Sequence, residues 1–149
     1  MIRLLTIEDY DGLLDMWIHT PGMGLRKLDD SREGLALFLK RNPTSCFVAC
    51  EDGRLVGCIM GGHDGRRGYI YHTLVLPEYR HRGLGKALVD AVVQALLKEN
   101  VTRVDLVVLG SNESGKKFWS SLGWENQTTV CFFGKGITDQ DNGKVEIEK

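Results

Sequence analysis

The sequence predicts a mixed α/β fold in which a central, mostly antiparallel twisted sheet is flanked by about four helices. Three observations lead there. Runs of β-branched, aromatic and aliphatic residues at 47–50, 55–61 and 69–76 are joined by glycine-rich turns, which implies three consecutive antiparallel strands. After the third run, Leu84, Ala87, Leu88, Ala91, Val92, Ala95 and Leu96 recur at helical spacing, with Lys86, Asp90, Gln94, Lys98 and Glu99 opposite. A further buried-looking run over 103–109 follows that helix, and a helical crossover makes it parallel to the 69–76 strand and places the two side by side.

Taken in order, residues 2–5 form a first strand. Thr6 caps the following helix, with Asp9 three residues later approximating a capping box and Leu13, Leu14 and Trp17 turned to the core. A loop with Pro21, Gly22 and Gly24 precedes a second helix, from Asp30 or Ser31 to Lys40, whose stripe is Leu35, Phe38 and Leu39 and which Pro43 closes. Asp52-Gly53 is a strong hairpin signal between the 47–50 and 55–61 strands. Pro77 cannot donate to a ladder, so the 69–76 strand stops there. Asn112 opens a short helix through Leu122, and Gly123 ends it. Thr128 to Phe133 reads as a last, edge or near-edge strand. From Thr138 the chain is polar, so residues 1–137 are expected to form one domain and 138–149 a frayed tail.

At 149 residues, 42% hydrophobic and 26% charged, the chain suits one domain with a substantial core. A net charge of −1 gives no drive toward nucleic acid or an anionic membrane, and the amino-terminal residues carry neither a signal peptide pattern nor an apolar span, so a cytoplasmic protein is expected. Cys46, Cys50, Cys58 and Cys131 lack Cys-x-x-Cys spacing. They read as reduced cysteines rather than, with the four histidines, a zinc site, and no metal is expected.

The strand-to-helix junction carries the chemistry. A helix start offers unpaired N–H groups and the positive end of the macrodipole. Gly83 and Gly85 let backbone approach a phosphate, and Arg80, His81, Arg82 and Lys86 add charge, which points to a diphosphate ligand. The dinucleotide fingerprint would need a third glycine where Leu88 stands, and no phosphate-loop Gly-Lys-Ser/Thr run is present.

Arg80-x-x-Gly83-x-Gly85, preceded by Leu74-Val75-Leu76-Pro77-Glu78-Tyr79, resembles the acetyl-CoA signature of the Gcn5-related N-acetyltransferase (GNAT) family. Downstream, Asn112, Phe118-Trp119 and Leu122-Gly123-Trp124 are similar to that family's second CoA-binding segment. Within the family the chain looks most like small bacterial enzymes of the YpeA type. The resemblance implies a GNAT-like fold and an acetyl-CoA-dependent N-acetyltransferase that moves an acetyl group to a primary amine by direct attack. Acetyl-CoA would be held by His81, Arg82, Gly83, Leu84, Gly85 and Lys86 at the pyrophosphate, by Thr73, Leu74 and Val75 along the pantetheine arm, and by Asn112 and Trp119. The resemblance also implies a bulge near Val75 that opens a slot beside the central strand, an acceptor wall in the first helical region with substrate contacts over 21–26, and a homodimer through the last strand or exposed apolar residues. The acceptor would be a small-molecule or protein amine.

Thioester aminolysis needs an anchored donor, a deprotonated amine, a stabilised oxyanion and a departing thiolate. Tyr69, Tyr71, His72, Asp105 and Glu113 compete as base, with His72 favoured for its intrinsic pKa and Tyr71 beside it. Period-two alternation puts Tyr69, Tyr71 and Thr73 on one face and Ile70, His72 and Leu74 on the other, up to any bulge. Trp119 stands where the family commonly has a tyrosine acid. An indole is no proton source near neutral pH, so Trp119 reads as a packed aromatic with its ring against the CoA arm. The alternative function is a CoA- or acyl-CoA-binding regulatory module without turnover, and a weaker third is a nucleotide-binding regulator.

Overall fold

The computed structural model describes residues 1–146. Its sheet has five strands in sequential order: β1 (Ile2–Leu4), β2 (Cys46–Glu51), β3 (Arg54–His63), β4 (Gly68–Val75) and β5 (Val104–Asp105). β1 through β4 are antiparallel, and β5 runs parallel to β4. The β2–β3 hairpin closes through Asp52 and Gly53, both at positive φ (51° and 73°), as a tight primed turn requires. Four helices, α1 (Tyr10–Ile18), α2 (Arg32–Arg41), α3 (Leu84–Lys98) and α4 (Glu113–Ser121), cover the sheet.

Strand alternation divides the core in two. Cys46 and Val48 of β2, Cys58 and Met60 of β3 and Leu74 of β4 pack with Leu13, Met16 and Trp17 of α1 and Leu35 of α2. On the other face Ala49, Val56, Ile59 and Ile70 meet Leu88, Val89, Val92 and Leu96 of α3 and Trp119 of α4. The helix starts follow their caps. Ser31 Oγ accepts the Gly34 N–H (3.0 Å), and the Asp9 carboxylate takes the Thr6 N–H (2.9 Å) while forming a two-pronged pair with Arg3 (2.7 and 2.9 Å) that ties β1 to α1. Burial pushes the Cys46 and Cys58 thiols up to about 12, which keeps them protonated. Among the described residues no helix is long and apolar enough to cross a membrane.

Three sequence expectations are corrected. The 103–109 strand shrinks to two paired residues, Gly68↔Val104 and Tyr69↔Asp105, after which Val107 and Leu109 are exposed. Thr128–Phe133 forms no strand, and Val130, Phe132, Phe133 and Ile137 lie on the surface, Phe133 91% and Ile137 95% exposed. Strand propensity needs a partner edge to act on, and this segment pairs with none among the described residues. The expected tail is docked in part. Asn142 Oδ1 accepts the N–H groups of Leu28 (2.8 Å) and Asp29 (3.2 Å), Gly143 accepts that of Lys27, Val145 donates to Leu25, and Lys27 pairs with Asp141 (2.8 Å). A polar segment can thus be ordered by backbone pairing that composition does not reveal. The rest of the predicted tail, 147–149, lies outside the described residues.

Replacing Asn142 by Ala removes the acceptor of two backbone donors, and thermal denaturation should show a loss of about 0.5–1.5 kcal/mol. An unchanged melting temperature would mean that the strap contributes no stability.

Candidate active site

β4 is the floor of the site. Its inner edge pairs with β3, but the register steps from Met60↔Tyr71 to Cys58↔Leu74, so Ile59 faces two residues, His72 and Thr73. This bulge lies two to three residues before the expected position near Val75. His72 takes up the kink at φ 29°. Faces reset beyond it: Ile70 packs on the α3 side, whereas Leu74 has moved to the α1 side and Val75 to the α3 side. His72 and Ile70, expected on one face, are therefore apart, and the His72 ring meets Trp17 edge-on at 4.9 Å.

The outer edge of β4 is open from Ile70 onward, because the parallel pairing with β5 ends at Tyr69 and Asp105. The outer edge of Thr73, Leu74 and Val75 therefore has no strand beside it, and residues 106–109 follow β5 on that side. Beyond Val75 a 3₁₀ turn over Pro77–Tyr79 leads to α3. Arg80 Nε donates to the Val75 carbonyl (2.9 Å) and fixes this return. His81 and Gly83 both take positive φ (62° and 83°), and α3 begins with no side-chain cap. The N–H groups of residues 81 to 86 consequently have no acceptor among the described residues. Successive free N–H groups at a helix start form a cradle for a phosphate anion.

The two glycines divide their roles. A Cβ on Gly83 would meet nothing within 4 Å, so its backbone is open to a ligand, while one on Gly85 would lie 3.0 and 3.1 Å from the Phe118 ring. Gly85 therefore lets α4 close on α3. The basic side chains are partly engaged: Lys86 pairs with Asp90 (2.6 Å), and Arg82 lies over the Tyr79 ring (5.2 Å) and near Glu51 (4.0 Å). Leu84 occupies the first position of α3.

The second segment is committed to structure. Asn112 caps α4, its Oδ1 accepting the Gly115 N–H (2.9 Å) and the Ser114 hydroxyl (3.1 Å), which leaves its NH₂ group available. Trp119 is 9% exposed and stacks edge-on with Phe118 (5.1 Å) and Trp124 (5.0 Å), so its indole belongs to the core.

Of the candidate bases, Tyr71 is partly exposed and packs on Phe38 (5.6 Å) and Tyr69 (4.6 Å). Burial, then the Asp29 charge, push its phenol above the usual tyrosine value; burial, then Tyr71 and Asp105, do the same for Tyr69. Asp105 pairs with Arg103 (3.0 Å) and Glu113 with Lys116 (3.1 Å). His72 Nε2 lies 2.6 Å from Asp30 Oδ1, and the side chains are only 12% and 8% exposed. Asp30 was missed by the sequence reading. It stands 42 residues before His72, and its only local signal was as one of two candidate starts for α2.

The family model for the acetyltransferase (GNAT) family matches residues 11–124. The chain belongs to the GNAT acetyltransferase family. An acetyltransferase of Sodalis glossinidius is 32% identical over 141 residues, covering 94% of this chain and 98% of the relative. Among solved structures, the PaiA N-acetyltransferase of Thermoplasma acidophilum, crystallised with coenzyme A, aligns with a TM-score of 0.70 at 20% identity over 97% of this chain and 94% of its own. The aminoglycoside N-acetyltransferase AAC(6')-Iy, solved with a bisubstrate analogue, aligns with a TM-score of 0.68 at 23% identity over 92% and 98%. Family membership makes this GNAT enzyme an acetyltransferase drawing its acyl group from CoA, and the free cradle beside the open strand edge fits that donor.

In the GNAT cradle, Gly83→Asp places a carboxylate and a strained left-handed residue among the anion donors. Calorimetric titration should show acetyl-CoA affinity reduced at least about tenfold. Unaltered affinity would mean that the diphosphate is bound elsewhere.

Proposed function

We propose that this enzyme transfers the acetyl group of acetyl-CoA directly to a primary amine. The carrying observation is the continuity of the open outer edge of β4 with the unpaired N–H groups of residues 81–86. An extended arm can add to that edge as a strand while its diphosphate reaches the helix start. The bisubstrate analogue held by AAC(6')-Iy supports an amine acceptor for this fold.

In the reaction the amine nitrogen bonds to the thioester carbonyl carbon, the C–S bond breaks, the nitrogen loses a proton and the thiolate gains one. A backbone N–H of the bulged strand edge, among Thr73 to Val75, faces the developing oxyanion. We assign the nitrogen's proton to water in the open slot, because His72 Nε2 is bound to Asp30 and the ring that carries Nδ1 is packed on Trp17 with little of it exposed. We assign the proton that the thiolate gains to the partly exposed phenol of Tyr71, in the place that buried Trp119 does not fill; burial raises the pKa of that phenol and makes it a weaker donor, in keeping with a modest contribution. Tyr71→Phe should lower kcat by about 10²-fold, the low end for a positioned acid because a thiolate is itself a tolerable leaving group, with acetyl-CoA affinity kept. The measurement is thiol release against a panel of amines. Acetyl-CoA binding without turnover on any amine would refute the assignment of substrate, and an unchanged kcat in Tyr71→Phe would remove the tyrosine.

A homodimer is part of the same proposal. Val130, Phe132, Phe133 and Ile137 form an exposed apolar run in a strand-forming sequence, and β5 (Val104–Asp105) is the end strand of the sheet, with no strand on its outer side among the described residues. Two copies can satisfy both reciprocally about a two-fold axis. Light scattering should give twice the 16.7 kDa chain mass, and Phe132→Ser with Phe133→Ser should return the chain mass. A monomeric wild type at all concentrations would exclude the dimer.

A further inference from the structure

The bulge at His72 is held from outside the strand. His72 sits at φ 29°, a backbone that a non-glycine residue keeps only where its surroundings over-determine it. Three contacts do so. Nε2 is 2.6 Å from Asp30 Oδ1, the Trp17 ring packs edge-on, and the Cys58 thiol donates to the His72 carbonyl (3.4 Å). Asp30 is itself fixed on every polar atom: Oδ2 accepts the Arg26 N–H (2.7 Å), its N–H donates to the Arg26 carbonyl (3.0 Å), and its carbonyl accepts the Tyr10 hydroxyl (2.8 Å). The turn it belongs to, 25–31, is pinned by the docked segment 141–145.

We propose that Asp30 and His72 form a latch between the 25–31 turn and the bulge of β4, so that both are positioning residues that aim the Thr73–Val75 strand edge at the thioester. This rests on the acetyl-transfer reading and assigns His72 a role other than that of base. A base needs a nitrogen open to the amine. Nε2 is bound to a buried carboxylate, and the ring that carries Nδ1 is packed edge-on against Trp17 with only 12% of the side chain exposed. The pair instead joins a strand that lines the donor slot to the turn beside the acceptor region. Losing it lets the bulge relax, and displacement of reacting atoms by about 1 Å costs on the order of 10²-fold in rate.

The test separates geometry from proton transfer. Asp30→Ala and His72→Ala should each reduce kcat by about 10–100-fold with acetyl-CoA affinity kept within about threefold, and the double variant should be no worse than either single, since all three remove one contact. His72→Gln restores an N–H near the place of Nε2 but offers no basic nitrogen, and it should recover kcat to within about threefold of wild type. Melting curves establish that each variant is folded at the assay temperature. Where His72→Gln does not fold, Asp30→Asn keeps an oxygen that can accept from Nε2 while removing the charge that a base would draw on, and it should stay within about threefold of wild type. A folded, acetyl-CoA-binding His72→Gln protein as slow as His72→Ala, or an Asp30→Asn protein as slow as Asp30→Ala, would overturn the latch and make His72 a proton-transfer group. Failure of wild type to bind acetyl-CoA is a different result, since it would remove the donor assignment and with it the premise of the latch.

Discussion

The bulge at His72 and Thr73 is the constraint on which the rest of the site depends. One extra residue on β4 against Ile59 changes which side chains face which core, so Leu74 joins the α1 side and Val75 the α3 side. The pairing of β4 with its parallel neighbour has already stopped, at Tyr69 and Asp105, just before that point. A sheet interior normally satisfies every N–H and C=O laterally. Here backbone in the middle of the sheet is left unpaired, which is costly unless a ligand or water completes it. The site is thus a controlled failure of strand pairing, placed beside a helix start.

The donor end works mainly through backbone. Lys86 and Arg82 both have acidic partners, and Arg80 is bound to the Val75 carbonyl, so the side-chain charge that the sequence gathers there is partly spent within the protein. What remains uncompensated is the run of N–H groups over 81–86 and the α3 dipole. Such donors are fixed by the helix and need no reorganisation to meet a phosphate, whereas flexible surface lysines lose side-chain entropy on binding. The glycines then act at different places. Gly83 opens the backbone to the ligand, and Gly85 allows Phe118, and therefore α4, to close over α3.

This division shows what could be read from sequence. α3, the β2–β3 hairpin and the Asn112 cap were legible because periodicity, Asp52-Gly53 and a capping residue are local signals. The shortened β5 and the unpaired 128–133 segment were not, since a strand is made by its neighbour and Val104–Leu109 and Thr128–Phe133 carry strand composition whether or not an edge reaches them. The position of the bulge was illegible for a similar reason. No residue type marks it, and His72 adopts positive φ through contacts with Trp17 and Asp30 that are 55 and 42 residues away in the chain. The cradle over 81–86 was found as a pattern and Trp119 was read as a packed aromatic, but that Lys86 is paired, and that Trp119 packs between Phe118 and Trp124, required coordinates.

The donor and acceptor sides consequently rest on different kinds of information. Residues 73–86, the proposed donor cradle, lie within one strand, turn and helix, so local sequence suffices to keep it. The opposite wall is assembled from α1, the 25–31 turn and residues 141–145, joined by backbone pairs such as Val145 to Leu25 and Lys27 to Gly143. Backbone pairing places few demands on side-chain identity. If the proposed acceptor side lies here, this wall can change its side chains while its position relative to β4 is kept, as long as Asp30 and the contacts that fix it persist. On the proposed reading, choice of amine and handling of the thioester fall to different parts of the chain, with the short Asp30–His72 hydrogen bond and the Trp17–His72 contact joining them.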